Sequence, residues 1–231
     1  TQPRLRMVSR AVVEALPSRV AAVIFDMDDT LFDSEKAWHE AAAALWREAG
    51  GAFRGYDDRG GTVEDLANAY LDEFGFVGER EDRMNEICAQ LEASIRERLR
   101  TDLAPMPGAD ALTSRLKKKL PLAIGSNSPQ AIVEQCVHAI GWRDRFQVAL
   151  GVGEGMNPKP APDLYLEAAR QLGVDPRDCV IFEDSPTGAR AAVAAGAFVV
   201  TIGEAARGIG TASVDTLEHD LVSSWTPEKL T

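Results

Sequence analysis

Histidine and cysteine are scarce in this chain. His39, His138 and His219 stand alone, none with a second ligand at metal-binding spacing, which argues against a zinc site; His138 reads as a helix-face residue. Cys88, Cys136 and Cys179 are equally scattered, with no Cys-x-x-Cys pair, and the last two fall in apolar stretches. That usage fits buried free thiols in a reducing compartment rather than a disulfide framework. Positive charge is short as well: 25 Lys and Arg against 36 Asp and Glu leave a net charge of -11. A nucleic-acid reader needs a basic face to displace counterions, so no nucleic acid is expected as a partner. No apolar run reaches the length of a membrane span, so no membrane is expected either. Residues 1–19 carry Arg4, Arg6, Arg10 and Arg19 but lack the long apolar core and cleavage site of a secretion signal, so the expected location is cytoplasmic. Residues 7–16 read either as a short packed helix or as a tail. Internal repeats and low-complexity segments are absent.

What is present can fold. Of 231 residues, 45% are hydrophobic, enough for one large domain or a domain with a smaller one inserted. Residues 20–25 are short, apolar throughout and partly β-branched, the pattern of a central strand buried on both faces. From Glu35 the spacing turns helical: Trp38, Ala41, Ala42, Leu45, Trp46 and Ala49 share a face that stops at Gly50 and Gly51. Leu66, Ala69, Tyr70 and Phe74 repeat it, and residues 84–99 extend it. These aromatic and methionine positions read as core, because helical periodicity primarily reports burial. From Pro105 strands at 121–125, 148–150, 179–182 and 198–202 alternate with helices at 129–140, 162–172 and 186–195. Alternation predicts parallel strands joined by crossover helices. The expected fold class is α/β, a Rossmann-like parallel sheet core with an inserted all-helical cap domain. Residues 1–19 form an N-terminal extension in this reading, 20–33 and 105–231 the discontinuous core, and 34–104 the cap. Pro105, Pro107 and Gly108 suit a hinge at the second crossing.

The chemistry gathers at strand ends. Residues 20–25 break into Asp26-Met27-Asp28-Asp29-Thr30, past the carboxyl edge where open α/β sheets bind ligands. Alternation turns Asp26 and Asp28 the same way, so both can act on one ligand. Acidic residues also terminate strands and cap turns, so the other strand ends decide. Gly125-Ser126-Asn127-Ser128 offers a hydroxyl, an amide and helix N–H groups suited to phosphate oxygens. Ser128 reads as the helix cap before Pro129, leaving Ser126 and Asn127 free. Asn157-Pro158-Lys159-Pro160-Ala161-Pro162-Asp163 holds one lysine in a loop that prolines stiffen, which favours a positioned ammonium. Glu183-Asp184-Ser185-Pro186-Thr187-Gly188 ends another strand in two carboxylates, with Asp184 or Ser185 suited to cap the next helix. Two acidic clusters at one sheet edge repel unless a cation lies between them, and a hard ion with oxygen ligands, Mg²⁺, resolves the conflict.

In this order the residues resemble the haloacid dehalogenase superfamily, whose pattern is Asp-x-Asp-x-Thr, a Ser or Thr after the second core strand, a Lys and a late acidic pair. The resemblance runs from Val20 to about residue 221. The runs after Lys159 and Glu183 are similar to the β-phosphoglucomutase-like subfamily, which carries a helical cap between its first strand and the rest of the core. Position 29, commonly glycine there, is Asp29. The resemblance implies Asp26 as a nucleophile that forms an aspartyl-phosphate, and Asp28 as general acid and then general base. It implies Mg²⁺ on Asp26, the backbone carbonyl of Asp28 and Asp184, with Glu183 a direct or water-mediated ligand. Ser126, Asn127 and Lys159 would hold phosphate oxygens. The function implied is Mg²⁺-dependent hydrolysis of a small phosphorylated substrate, a sugar phosphate, by a monomer. A phosphosugar mutase of the β-phosphoglucomutase type is the runner-up; it needs a basic residue in the glycine-containing cap loop, where Arg59 precedes Gly60-Gly61-Thr62-Val63. Arg54 and Arg83 are further cap candidates, each also readable as a solvated side chain. Asp28 argues against a dehalogenase, and Lys36, the single lysine within 34–104, lies too near the hinge for phosphonate chemistry. A phospho-acceptor signalling domain uses similar residues, but with its acceptor on a middle strand and no helical insertion.

Overall fold

The computed structural model describes residues 15–55, 60–153 and 155–230; residues 7–14 of the segment read as helix or tail lie outside these. The chain enters through β1 (Arg19–Val20), β2 (Ala22–Phe25) and β3 (Phe32–Asp33). Three helices follow, α1 (Glu35–Glu48), α2 (Val63–Phe74) and α3 (Arg80–Thr101), then β4 (Ala104–Pro105) and α4 (Ala109–Leu116). The alternating part comprises β5 (Leu122–Pro129), α5 (Gln130–Ala139), β6 (Val148–Val152), α6 (Asp163–Leu172), β7 (Cys179–Glu183), α7 (Pro186–Ala194) and β8 (Phe198–Ile202). It closes with β9 (Ala212–Val214), α8 (Asp220–Ser223) and β10 (Glu228–Lys229).

Six strands make one parallel sheet in the order β6-β5-β2-β7-β8-β9. Every residue of β2 is buried, as an uninterrupted apolar run requires. The strand period then divides its side chains: Val23 and Phe25 join one hydrophobic cluster, Ala22 and Ile24 the other. On the first face lie Ile132, Val133 and Cys136 of α5; on the second, Tyr165 and Ala168 of α6 with Ala191 and Ala192 of α7. Phe25 pairs in register with Ile124 and Phe182, so the segments leaving β2, β5 and β7 emerge side by side. One expectation is corrected here. β5 runs on to Pro129 rather than ending at residue 125, because pairing with β6 resumes across an irregularity, Ser126 opposite Gly151 and Pro129 opposite Val152. Helix α5 therefore starts at Gln130 without a side-chain cap from Ser128.

The helical segment has its own aromatic packing, with Trp46 against Phe53, Tyr70 and Phe74 at centroid distances of 5.0, 5.2 and 6.1 Å. Helix α2 begins at a capping box in which Thr62 and Asp65 satisfy each other's backbone N–H groups. The two crossings between this segment and the sheet are themselves paired: β3 and β4 run antiparallel, Phe32 opposite Pro105 and Asp33 opposite Ala104. Lys36 bridges to Asp102 at 2.6 Å beside them, a contact exposed on both sides and so worth little. Within the expected N-terminal extension, Leu16 is buried, β1 pairs in parallel with β10, and Trp225 Nε1 donates to the Pro17 carbonyl at 2.7 Å.

Candidate active site

A partly open cavity of about 160 Å³ lies between the carboxyl ends of the central strands and the helical segment. Asp26 is the first residue past β2, and its N–H continues the ladder by donating to the Phe182 carbonyl at 2.9 Å. Its buried carboxylate accepts from Lys159 Nζ at 2.7 Å. Lys159 is only 4% exposed. Its loop is fastened by Asn127, whose Oδ1 accepts the Lys159 N–H at 2.8 Å and whose Nδ2 donates to the Lys159 carbonyl at 3.3 Å.

Behind the ammonium sits Glu183. Its Oε1 accepts from Lys159 Nζ and from the Tyr165 hydroxyl, both at 2.7 Å, while Oε2 accepts the N–H and the hydroxyl of Ser185, each at 3.0 Å. Ser185 also caps α7, taking the Gly188 N–H at 3.0 Å. The helix presses so close that a Cβ at Gly188 would overlap the Glu183 carboxylate. The Lys159 ammonium further rests 4.8 Å from the Tyr165 ring centroid. Burial draws the Lys159 pKa down, but the charges of Asp26 and Glu183 outweigh it and hold the group protonated.

Asp184 is half-buried and accepts from Thr30 Oγ1 at 3.2 Å. One oxygen each of Asp26, Glu183 and Asp184 lie within 4.8 Å of one another. Burial pushes the Asp26 carboxyl well above its usual range; Lys159 opposes that shift and Glu183 and Asp28 reinforce it. Asp184 rises too, through burial first and then the charge of Asp26. A crowded set of buried carboxylate oxygens with one ammonium is a hard-donor site short of positive charge, and a divalent ion preferring oxygen fits it.

Asp28 lines the same cavity but is held differently. Its Oδ1 accepts from Ser34 Oγ at 2.7 Å and Trp38 Nε1 at 3.3 Å, and its Oδ2 from Ser126 Oγ at 3.0 Å and Ser128 Oγ at 2.7 Å. Two corrections follow. Ser126 and Asn127 are not free: Ser126 holds Asp28 and accepts the Ser128 N–H, and Asn127 ties the Lys159 loop to the Gly60 carbonyl, the latter at 2.7 Å. Ser128 is no helix cap, because its hydroxyl is spent on Asp28. Asp29 has φ of +57°, in the left-handed region that asparagine and aspartate tolerate better than most residues. Its Oδ1 accepts the N–H groups of Ser34 and Glu35, at 3.3 and 3.0 Å, and so serves the start of α1 that Ser34 leaves uncapped. Burial raises the Asp29 carboxyl to about 6.

The structure thus brings Asp26, Asp28, Asn127, Lys159 and Asp184 to one cavity, whereas Ser126 and Glu183 stand behind its wall. Side chains with no motif signal complete it: Trp38, His39, Phe53 and Leu66 from the helical segment. Trp38 and Leu66 lie at helical spacing that reads as burial, and for Leu66 that is also true. Tyr165, behind Lys159, was hidden for the same reason on α6. Of the cap arginines, Arg54 is exposed, Arg83 pairs with Glu86 at 2.5 Å, and Arg59 lies outside the described residues.

The chain belongs to the haloacid dehalogenase-like hydrolases, whose family model matches residues 20–196. It is 30% identical over 191 residues to fructose-1-phosphate phosphatase YqaB of Escherichia coli (strain K12), covering 80% of this chain and 97% of that protein. Hexitol phosphatase B of the same organism is 30% identical over 183 residues, 78% of this chain and 82% of its own. Among solved structures, β-phosphoglucomutase from Clostridium difficile matches with a TM-score of 0.76 at 19% identity, over 90% of this chain and 93% of that one, which shows a shared fold. Membership of a hydrolase family makes the chain an enzyme rather than a signalling receiver.

Proposed function

We propose that this enzyme is a Mg²⁺-dependent phosphomonoesterase acting on a small sugar phosphate through an aspartyl-phosphate at Asp26. The observation that carries the reading is a buried carboxylate held 2.7 Å from an equally buried ammonium, at the floor of a cavity that also presents Asp28 and Asp184. Asp26 attacks phosphorus, and the phosphorus–ester oxygen bond breaks as Asp28 gives its proton to the leaving oxygen. Asp28 then takes a proton from water, whose oxygen attacks phosphorus and returns Asp26 and inorganic phosphate. To reach those oxygens Asp28 gives up part of its four-donor cradle, so Ser126 acts by holding Asp28, while Lys159, and Asn127 once its Nδ2 leaves the Gly60 carbonyl, take the phosphate oxygens. Asp26, Asp184 and the backbone carbonyl of Asp28 would hold the metal ion, with Glu183, its oxygens already engaged, acting chiefly through Lys159. When bound, the ion supplies the positive charge that offsets a phosphate dianion approaching carboxylates, a repulsion of about 4 kcal/mol per close unit-charge pair at an effective dielectric of about 20.

A mutase would need a second cationic pocket for a bisphosphate. Net hydrolysis is favoured by the relatives named above, fructose-1-phosphate phosphatase and hexitol phosphatase B, both phosphatases. No described helix is long and apolar enough to cross a membrane. With three free cysteines, a reducing location, the cytoplasm, fits, and we take the enzyme to act as a monomer. Purified protein should release phosphate from sugar phosphates with Mg²⁺, and lose that activity on chelation and in Asp26→Asn. Turnover that survives both overturns the reading.

A further inference from the structure

The walls of the cavity differ in chemistry. The sheet edge contributes charged and amide groups, whereas the helical segment contributes the carbon-rich side chains Trp38, Phe53 and Leu66, with Glu35, His39 and Thr62 among them. Phe53 is half-buried and firmly placed, its ring 5.2 Å from that of His39 and 5.0 Å from that of Trp46. Trp46 is fixed in turn by Tyr70 and by donating to Glu73 at 2.8 Å. The segment carrying Phe53 is pinned as well, since a Cβ at Gly51 would overlap the Phe74 ring. The aromatic face is therefore a packed surface that borders the cavity.

Several polar groups on that wall are engaged within the protein. Thr62 Oγ1 accepts the Asp65 N–H and donates to the Asp65 carboxylate, Trp38 Nε1 donates to Asp28, and the Gly60 carbonyl accepts from Asn127. A polyol or hexose docked by its phosphate would set part of its hydroxyls against the carbon of Trp38, Phe53 and Leu66, and burying hydroxyls unpaired opposes binding. A flat ring suits the same wall, because it can cover aromatic surface without polar atoms to satisfy.

We infer that this site prefers phosphomonoesters whose alcohol carries a flat aromatic group, a nucleoside 5′-monophosphate above all, over simple sugar phosphates. The inference rests on the phosphatase reading and narrows it: a nucleoside monophosphate keeps a phosphorylated sugar and adds a base for Trp38, Phe53 and Leu66 to cover.

Adenosine 5′-monophosphate and ribose 5-phosphate make the discriminating pair, since they share the phosphorylated ribose and differ in the base. With Mg²⁺, kcat/KM should favour the nucleotide by about tenfold or more, the scale of one stacked base. Phe53→Ala should narrow the ratio, chiefly through KM for the nucleotide, and Phe53→Trp should preserve it. Calorimetry on Asp26→Asn should show the nucleotide binding more tightly than ribose 5-phosphate. Equal or reversed preference, or a ratio indifferent to Phe53→Ala in protein with an unaltered melting curve, overturns the inference. If Asp26-dependent release is seen from ribose 5-phosphate or p-nitrophenyl phosphate without that preference, the phosphatase reading stands and the aromatic preference alone fails. Release from none of the three removes both.

Discussion

Lys159 is the residue on which the site's electrostatics turn. It is the ammonium between Asp26 and Glu183, buried with them, and its removal leaves two carboxylates facing each other out of water. Lys159→Met keeps roughly the bulk and deletes the charge, so it should cost about 3 to 5 kcal/mol of stability, the usual penalty for orphaning one side of a buried pair. Denaturant unfolding of the metal-free protein checks this, and the double variant Lys159→Met with Glu183→Gln should recover part of the loss. A full recovery by Glu183→Gln alone is not expected, because Asp26 remains unpaired. Motifs made Lys159, Asp26 and the Glu183-Asp184 pair visible in the sequence, since the acids break off apolar strands and the lysine stands among prolines. Tyr165 and Trp38 were not visible. Both sit at positions that helical periodicity assigns to packing, and only the folded chain reveals a hydroxyl 2.7 Å from Glu183 or an indole N–H directed at Asp28.

At the scale of elements, one residue sets the start of α1. Asp29 occupies left-handed backbone and also accepts two N–H groups of the helix that follows. Asp29→Ala forfeits both functions and should lower stability by about 2 kcal/mol, by the sum of an unfavourable positive φ and a lost cap. Asn at 29 should be close to neutral and Gly intermediate, an order that urea midpoints would show. The three cysteines make a second test of element packing. Burial, followed by the charges of Glu64 and Glu92, pushes the Cys88 thiol on α3 up to about 11. Burial and then Asp178 push Cys179 on β7 up to about 12, and burial raises Cys136 on α5 as well. A raised thiol pKa means less thiolate at any given pH, so native protein at about pH 8 should alkylate with iodoacetamide roughly a hundredfold more slowly than free cysteine. Labelling should quicken as pH approaches 11, and all three should react once guanidinium unfolds the chain. The elements least legible in the sequence were short or polar ones. α4, β9 and β10 span eight, three and two residues, too few for a period to register, and β5 reaches past its apolar stretch through Ser126, Asn127 and Ser128 because β6 offers it a partner.

For the whole molecule, the alternation after Pro105 carried most of the architecture, since buried parallel strands and crossover helices leave few other arrangements. The pairing of β1 with β10 left no such trace. Two residues on each side, Arg19–Val20 and Glu228–Lys229, hold no pattern, and their meeting is a property of the completed sheet. Trp225 completes it, reaching the Pro17 carbonyl across 208 residues of sequence while its ring lies 6.0 Å from that of Phe182. A contact spanning so much chain repays its closure entropy only after the intervening sheet has formed, so it belongs to the last stage of assembly. Trp225→Phe, which keeps a smaller aromatic ring and deletes the donor, should therefore leave the refolding rate unchanged and speed unfolding about fivefold for each ~1 kcal/mol lost, as stopped-flow chevrons would record. On that outcome the β1–β10 seam is a kinetic latch: it would govern how long the native enzyme persists, with no say in how quickly it is reached.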